Sequence, residues 1–177
     1  MFKQNLADTS LFALALLIFF VGIGLCVNGY HISKEYIKIK SHRYVIWKEN
    51  RDTFLARSIP SYQMFQHINT HLPPDAKIFF IYMKNLGFLC NRTYYSDSMF
   101  ESYTIQKLLS RPQAPDALHR FLRNSGFTHV LFDTNYVIGP KSALTDGQKQ
   151  LFLEFKNRFL NHVKSENRRY YLYRVTY

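Results

Sequence analysis

The run Leu11–Gly29, LFALALLIFFVGIGLCVNG, constrains this chain more than any other stretch. No Asp, Glu, Lys or Arg occurs between Asp8 and Lys34. Each helical residue rises about 1.5 Å, so about 20 apolar residues cross a hydrocarbon core about 30 Å thick. A core helix of a soluble protein would keep a polar face, and this run shows none. A cleaved leader would carry a shorter apolar run and small residues at its cut site, which Cys26-Val27-Asn28-Gly29-Tyr30 matches poorly. The expectation is a retained transmembrane helix at 11–29 behind a polar head at 1–10, with Asp8, Thr9 and Ser10 suited to capping its first turn. Gly22-Ile23-Gly24 inside the run has no strand beside it and reads as a site of close helix approach rather than a nucleotide loop.

Beyond the run, the chain of 177 residues leaves enough length for one domain with a core. Its 16 Phe, 13 Tyr and one Trp supply the burial that a disordered segment lacks. The formal net charge is +11, and Lys3 cancels Asp8, so the whole excess follows the apolar run. A basic body beside a bilayer fits anionic headgroups as its partner. Nucleic acid is excluded as an expectation, because no binding motif accompanies the charge. Cys26 and Cys90, one in the run and one in the body, cannot form a disulfide framework.

Residues 30–57 are basic and aromatic. Ile37, Tyr44, Trp47 and Phe54 recur at helical spacing, which predicts a helix with one apolar side lying along the membrane surface. Tyr30, Tyr36, Tyr44 and Trp47 suit an interfacial belt. Pro60 closes that segment, and residues 58–177 read as a soluble α/β domain. Ser61–Leu72 predicts a helix capped by Ser61, ended by Pro73-Pro74. Ile78–Tyr82 and Thr128–Asp133 are continuous apolar runs, the mark of strands buried on both faces. Leu86–Cys90 is a further apolar element and Thr93–Ser96 a short strand. Helices follow at Phe100–Leu109 and Asp116–Asn124, the second stopped by Gly126. Thr134–Gly147 reads as a loop, Thr145 caps a helix carrying Leu151 through Val163, and Arg169–Tyr177 alternates like an edge strand. The fold class is α/β: one N-terminal transmembrane helix followed by a small, largely parallel sheet flanked by helices.

Candidate chemistry is sparse. His67 and His71 in HINTH share a helix side, but the zinc-protease Glu is missing and no third ligand stands at telling spacing, so no metal is expected. His129 and Asp133 on a buried strand could act as an acid–base pair, yet no nucleophile in an elbow context accompanies them. A His129 held by hydrogen bonds is the plainer reading. Asn91-Arg92-Thr93 is a glycosylation sequon with meaning only in a eukaryotic secretory pathway. Arg92, Tyr94, Tyr95 and Asp97 form the candidate ligand-binding cluster, since tyrosine faces and a guanidinium suit a sugar or phosphate. The alternative is that Arg92 pairs with Asp97 while the tyrosines pack. No catalytic residue and no cofactor are assigned.

The order FLARSIPSYQMFQHINTHLPPDAKIFFI, NRTYYSD, LRNSGFTHVLFD and YYLYRV resembles the C-terminal tail of multi-spanning bacterial glycosyltransferases of the GT-C type. These are related to dolichyl-phosphate-mannose protein mannosyltransferases and to lipid A sugar transferases. The likeness covers about residues Arg51 to Tyr177 plus the last span. It implies an extracytoplasmic body at a bacterial inner membrane and a polyprenyl-phosphate-linked sugar donor for the whole enzyme. The family's catalytic carboxylate lies in a first extracytoplasmic loop, among spans this chain does not contain, so none is carried over. The expectation is a single-pass, membrane-anchored, non-catalytic domain that is a fragment or accessory of such an enzyme. Alternatives are a recognition subunit of an active multi-spanning glycosyltransferase, and a membrane-tethered hydrolase using His129 and Asp133. Lys34, Lys38, Lys40 and Arg43 after the run favour a cytoplasmic body by the positive-inside rule, against the resemblance.

Overall fold

The computed structural model describes residues 2–96, 103–111 and 113–177, with side chains from residue 14 onward except at 41, 42 and 103. The chain divides into two compact units, Met1–Ser58 and Ile59–Tyr177.

In the first unit, α1 (Phe2–Ile39) runs for 38 residues, and Leu14–Ile39 is long and apolar enough to cross a membrane by length and composition. Leu17, Ile18, Phe19, Phe20 and Leu25 on it are exposed. Because α1 starts at Phe2, Asp8, Thr9 and Ser10 lie inside the helix and do not cap it. The basic aromatic stretch differs from the single helix its spacing predicts. Lys40 turns left-handed at φ 50°, α2 (Ser41–Val45) follows, Trp47 turns again at φ 59°, and α3 (Arg51–Ser58) folds back. The reversal stacks Tyr44 on Phe54 at 5.3 Å. Arg57 then clasps Glu49, with Nε–Oε1 at 3.2 Å and Nη2–Oε2 at 2.9 Å, and donates Nη1 to Ile39 O at 2.8 Å. A cation on the last carbonyl of α1 satisfies an acceptor left open by the helix and opposes its dipole. Trp47 remains 94% exposed, so it does not share the apolar contact that pairs Tyr44 with Phe54.

The second unit contains, in chain order, α4 (Tyr62–His71), β1 (Lys77–Ile81), a 3-10 turn at Leu86–Leu89, β2 (Thr93–Ser96), α5 (Tyr103–Leu109), α6 (Ala114–Asn124), β3 (His129–Asp133), α7 (Thr134–Val137), α8 (Asp146–Phe159), β4 (Leu160–Glu166) and β5 (Tyr170–Val175). The five-stranded sheet has the order β2-β1-β3-β5-β4. β1 pairs parallel with β2 and β3, while β5 pairs antiparallel with β3 and β4. The α/β class with one apolar N-terminal helix therefore holds. β1 and β3 read as unbroken apolar runs because both are interior strands covered on both faces.

Side chains alternate across these strands, so the two faces pack differently. Phe79, Ile81, Val130, Phe132, Tyr173 and Val175 join one core cluster with residues of α5, α6 and α8. Phe132 meets Phe152 edge-on at 5.3 Å, and Phe155 is fully buried, whereas Phe159 is half-buried. On the opposite face α4 buries Met64, Phe65 and Ile68, and Phe65 meets Phe80 edge-on at 5.8 Å.

Four local expectations change. The helix predicted through Val163 ends at Phe159, where Leu160 becomes extended (φ −123°, ψ 127°), and β4 begins. That extra strand moves the C-terminal strand inward: β5 lies between β3 and β4, and the sheet edges are β2 and β4. The hairpin joining β4 to β5 places Asn167 and Arg168 both at positive φ, 53° and 50°, as a tight turn matching strand twist requires. Ser61 is fully buried and gives α4 no side-chain cap, whereas Thr145 and Gln148 form a complete capping box on α8. Finally, α7 occupies the start of the predicted loop, with Asp133 accepting from Asn135 N to start it. Phe100, the predicted start of the helix now seen as α5, lies outside the described residues.

Candidate functional site

The structure separates the members of the sequence-predicted cluster. Arg92 is half-buried, and its guanidinium reaches back to the end of α4, donating Nη2 to Asn69 O and Leu72 O at 2.8 Å each and Nε to Leu72 O at 3.2 Å. These are carbonyls that the helix end leaves without intrahelical donors. Asn69 tightens the same junction, donating to Leu89 O at 2.8 Å and accepting from Asn91 N at 2.7 Å. Tyr94 and Tyr95 follow one another in β2 and so turn to opposite faces. Tyr94 stacks on Phe80 at 5.0 Å, and Tyr95 stacks on Phe79 at 5.8 Å. Gly87 is required beneath Tyr94, because a Cβ there would overlap the phenol ring. One ligand cannot stack on both tyrosines from the same side. Asp97 lies outside the described residues.

His67 and His71 do come together, their rings stacked at 4.3 Å on α4. His71 Nδ1 sits 2.6 Å from Thr70 Oγ1, and burial, helped by Lys164, holds His67 below the usual imidazole range. Among the described residues no group of three His, Cys, Asp or Glu converges as a metal site would need. Cys90 is half-buried, which pushes its thiol up and away from the reactive thiolate form.

His129 and Asp133 do not form a pair. They are the first and last residues of β3, so about 13 Å of strand separates them at 3.3 Å per residue. Asp133 is 2% exposed and is held in a side-on ion pair by Arg169, with Nε at 3.0 and 2.8 Å and Nη2 at 2.6 Å. The expected hydrolase pair is therefore corrected: the carboxylate is consumed in joining β3 to the β4–β5 hairpin.

His129 stands at the opposite end of the strand, 6% exposed, and lines a cavity of about 430 Å³. Leu72, Pro73, Ala76, Val163 and Val175 make its apolar walls; Asp75, Thr128, Arg174 and Tyr177 supply the polar atoms. The β3–β5 register sets Arg174 directly opposite His129. Thr128 Oγ1 accepts from Lys77 N at 3.0 Å and donates to Lys77 O at 3.2 Å. His129 Nδ1 lies 2.8 Å from the same hydroxyl, a hydrogen bond that holds the ring in place. Burial first and the Arg174 charge second push the imidazole down to about 4. It is uncharged at neutral pH and too weak a base for general base work there. The arrangement suits binding: an apolar pocket, one neutral imidazole and one cation. Arg174, Asp75 and Tyr177 escape sequence reasoning because they lie far apart in the chain and meet only through strand register and the final residue, whose hydroxyl bonds Phe127 O.

No family model matches the chain, and no curated protein matches it. Among solved structures it is similar to the C-terminal globular domain of an oligosaccharyltransferase from Archaeoglobus fulgidus, with 8% sequence identity and a TM-score of 0.42. That similarity covers 72% of this chain and 99% of the other.

Proposed function

We propose that this chain is a membrane-anchored, non-catalytic domain of the type that ends polyprenyl-phosphate-sugar-dependent glycosyltransferases, working as a fragment or accessory of such an enzyme. Residues 11–29 are its span, 30–57 its interfacial segment and 58–177 its extracytoplasmic body. The observation that carries the reading is the exposed apolar length of Leu14–Ile39. Before its first charge at Lys34, this helix keeps about 20 uncharged residues from Leu14 onward, which extend about 30 Å at about 1.5 Å each and match the thickness of a hydrocarbon core. A helix apolar on every side needs lipid or protein around it. Lys34, Lys38, Lys40 and Arg43 follow the apolar residues and attract anionic headgroups. The order of short segments resembling a glycosyltransferase tail supports the rest.

Expression with a reporter fused after Tyr177, followed by alkaline extraction and mass measurement, tests this. Retention of α1, resistance to extraction and alkaline phosphatase activity are expected. Removal of the helix, or activity from a cytoplasmic reporter alone, overturns the anchor or the orientation. Purified chain should release no sugar from polyprenyl-phosphate donors. A second reading, a recognition subunit for a multi-spanning transferase, is favoured by the His129 cavity, whose neutral imidazole and Arg174 suit a polar ligand without turning it over.

A further inference from the structure

We propose that the groove between α5 and α6 binds a diphosphate group. The two helices meet with matched faces. Thr104, Lys107, Leu108 and Arg111 stand at i, i+3, i+4 and i+7 around the end of α5, and Ala117, Arg120, Phe121 and Asn124 repeat that spacing on α6. The groove between them is about 570 Å³, within the range of small-ligand sites. Leu108, Phe121 and the small Ala117 leave an apolar floor, and Lys107, Arg111 and Arg120 wall it with positive charge.

Two packed helices ordinarily meet through apolar residues and turn cations to solvent with carboxylates beside them. Here none of the three cations has a carboxylate partner among the described residues. The acid of α6, Asp116, is instead tied to Arg158 at 3.1 Å, and Glu154 holds the same guanidinium at 3.0 Å. The chain thus pairs Arg158 twice and leaves three like charges in one concavity, an arrangement that an anion relieves. A diphosphate carries about as much negative charge as these three groups supply, and guanidinium forks fit its oxygens. Asn124 at the rim adds a polar side chain for the bridging and ester oxygens. The apolar floor leaves room for one organic substituent. The diphosphate is either free or borne on a lipid chain.

The test is calorimetric titration of the full chain in neutral detergent with pyrophosphate, and separately with a short-chain alkyl diphosphate. Binding is expected, weakening with added salt and falling about tenfold in each of Lys107→Ala, Arg111→Ala and Arg120→Ala. Lys141→Ala, outside the groove, should leave it unchanged. Tighter binding of the alkyl ester assigns a lipid-borne source, and tighter binding of pyrophosphate a free one; both support the site. Unchanged or raised thermal midpoints in the three variants also support it, because unpaired like charges repel. Absence of binding at millimolar pyrophosphate, or equal loss in Lys141→Ala, overturns it. So does a midpoint that falls in all three variants without loss of binding, which would make the cations a structural feature of α5 and α6.

Discussion

Replacing Arg169 by Ala should unfold the second unit more readily than any other surface-adjacent substitution. Asp133 is buried and accepts four hydrogen bonds, three from Arg169 and one from Asn135 N. Truncation leaves a buried carboxylate with a single N–H donor, a change that costs about 3–5 kcal/mol in comparable pairs. The Arg169 side chain is 31% exposed, so water reaches the vacated space and the low end, about 3 kcal/mol, applies. The backbone junction is spared, since Thr134 N and Oγ1 bond Arg169 O, which every substitution retains. For a unit of this size about 3 kcal/mol lowers the thermal midpoint by about 12 °C. Urea and thermal unfolding of a fragment beginning at Ser58 would read both quantities. Asp133→Asn with Arg169→Gln removes the stranded charge and should recover more than half of the loss, giving positive coupling in a double-mutant cycle. A cost below about 1 kcal/mol for Arg169→Ala, or a more stable Asp133→Asn single variant, would refute the clasp and reopen Asp133 for chemistry.

Two further outcomes follow from the same core and cavity. His129 titrates about 2.5 pH units lower folded than at its ordinary 6.5, so between pH 6.5 and 4 the unfolded chain binds the extra proton. Its contribution is full above pH 6.5 and is lost as pH falls toward 4, by about 1–2 kcal/mol once water in the cavity is allowed for; His129→Gln should flatten that part of a stability-versus-pH curve, and an unchanged slope would refute it. Phe132→Ala removes a fully buried ring that meets Phe152 and stacks on Tyr173 at 5.5 Å, and should cost about 3–5 kcal/mol in urea unfolding, with an unaltered midpoint refuting the strand's central place.

The legible parts of the fold are those whose reasons are local or rest on burial. β1 and β3 announce themselves because interior parallel strands need apolar residues on both faces, and α8 begins where Thr145 and Gln148 spell a capping box. β4 was hidden because Val163 fits the helical spacing of Phe155 and Phe159, and no Gly or Pro marks the change at Leu160. β5 alternates as an edge strand would, and only the unrecognised β4 places it inside. Trp47 at φ 59° carries no sequence signal, since a bulky residue seldom adopts that geometry. In the candidate cluster, the sequence does not reveal what Arg92 bonds, because its partners are backbone carbonyls 20 and 23 residues earlier, which no side-chain motif announces. Asp133 and Arg169, 36 residues apart, are joined only by hairpin placement.

The cations of this chain fall into two kinds that its composition cannot distinguish. Arg57 and Arg92 satisfy carbonyls at the ends of α1 and α4, and Arg169 satisfies the buried Asp133 carboxylate at the junction of β3 with the hairpin. Removing such a charge leaves an unsatisfied acceptor, so the loss appears as instability. Lys107, Arg111 and Arg120 have no carboxylate partner among the described residues, and all three line one groove. Removing one of these leaves no acceptor stranded, so on the proposal the loss appears only when an anion is present. A net charge of +11 is therefore not a uniform electrostatic field awaiting a membrane. On the proposed anchoring the juxtamembrane lysines would act through proximity to headgroups, whereas the three structural arginines act through geometry and the groove cations are proposed to keep their charge available. A neutralisation series across all three sets, read once by unfolding and once by anion binding, should sort the residues along these lines.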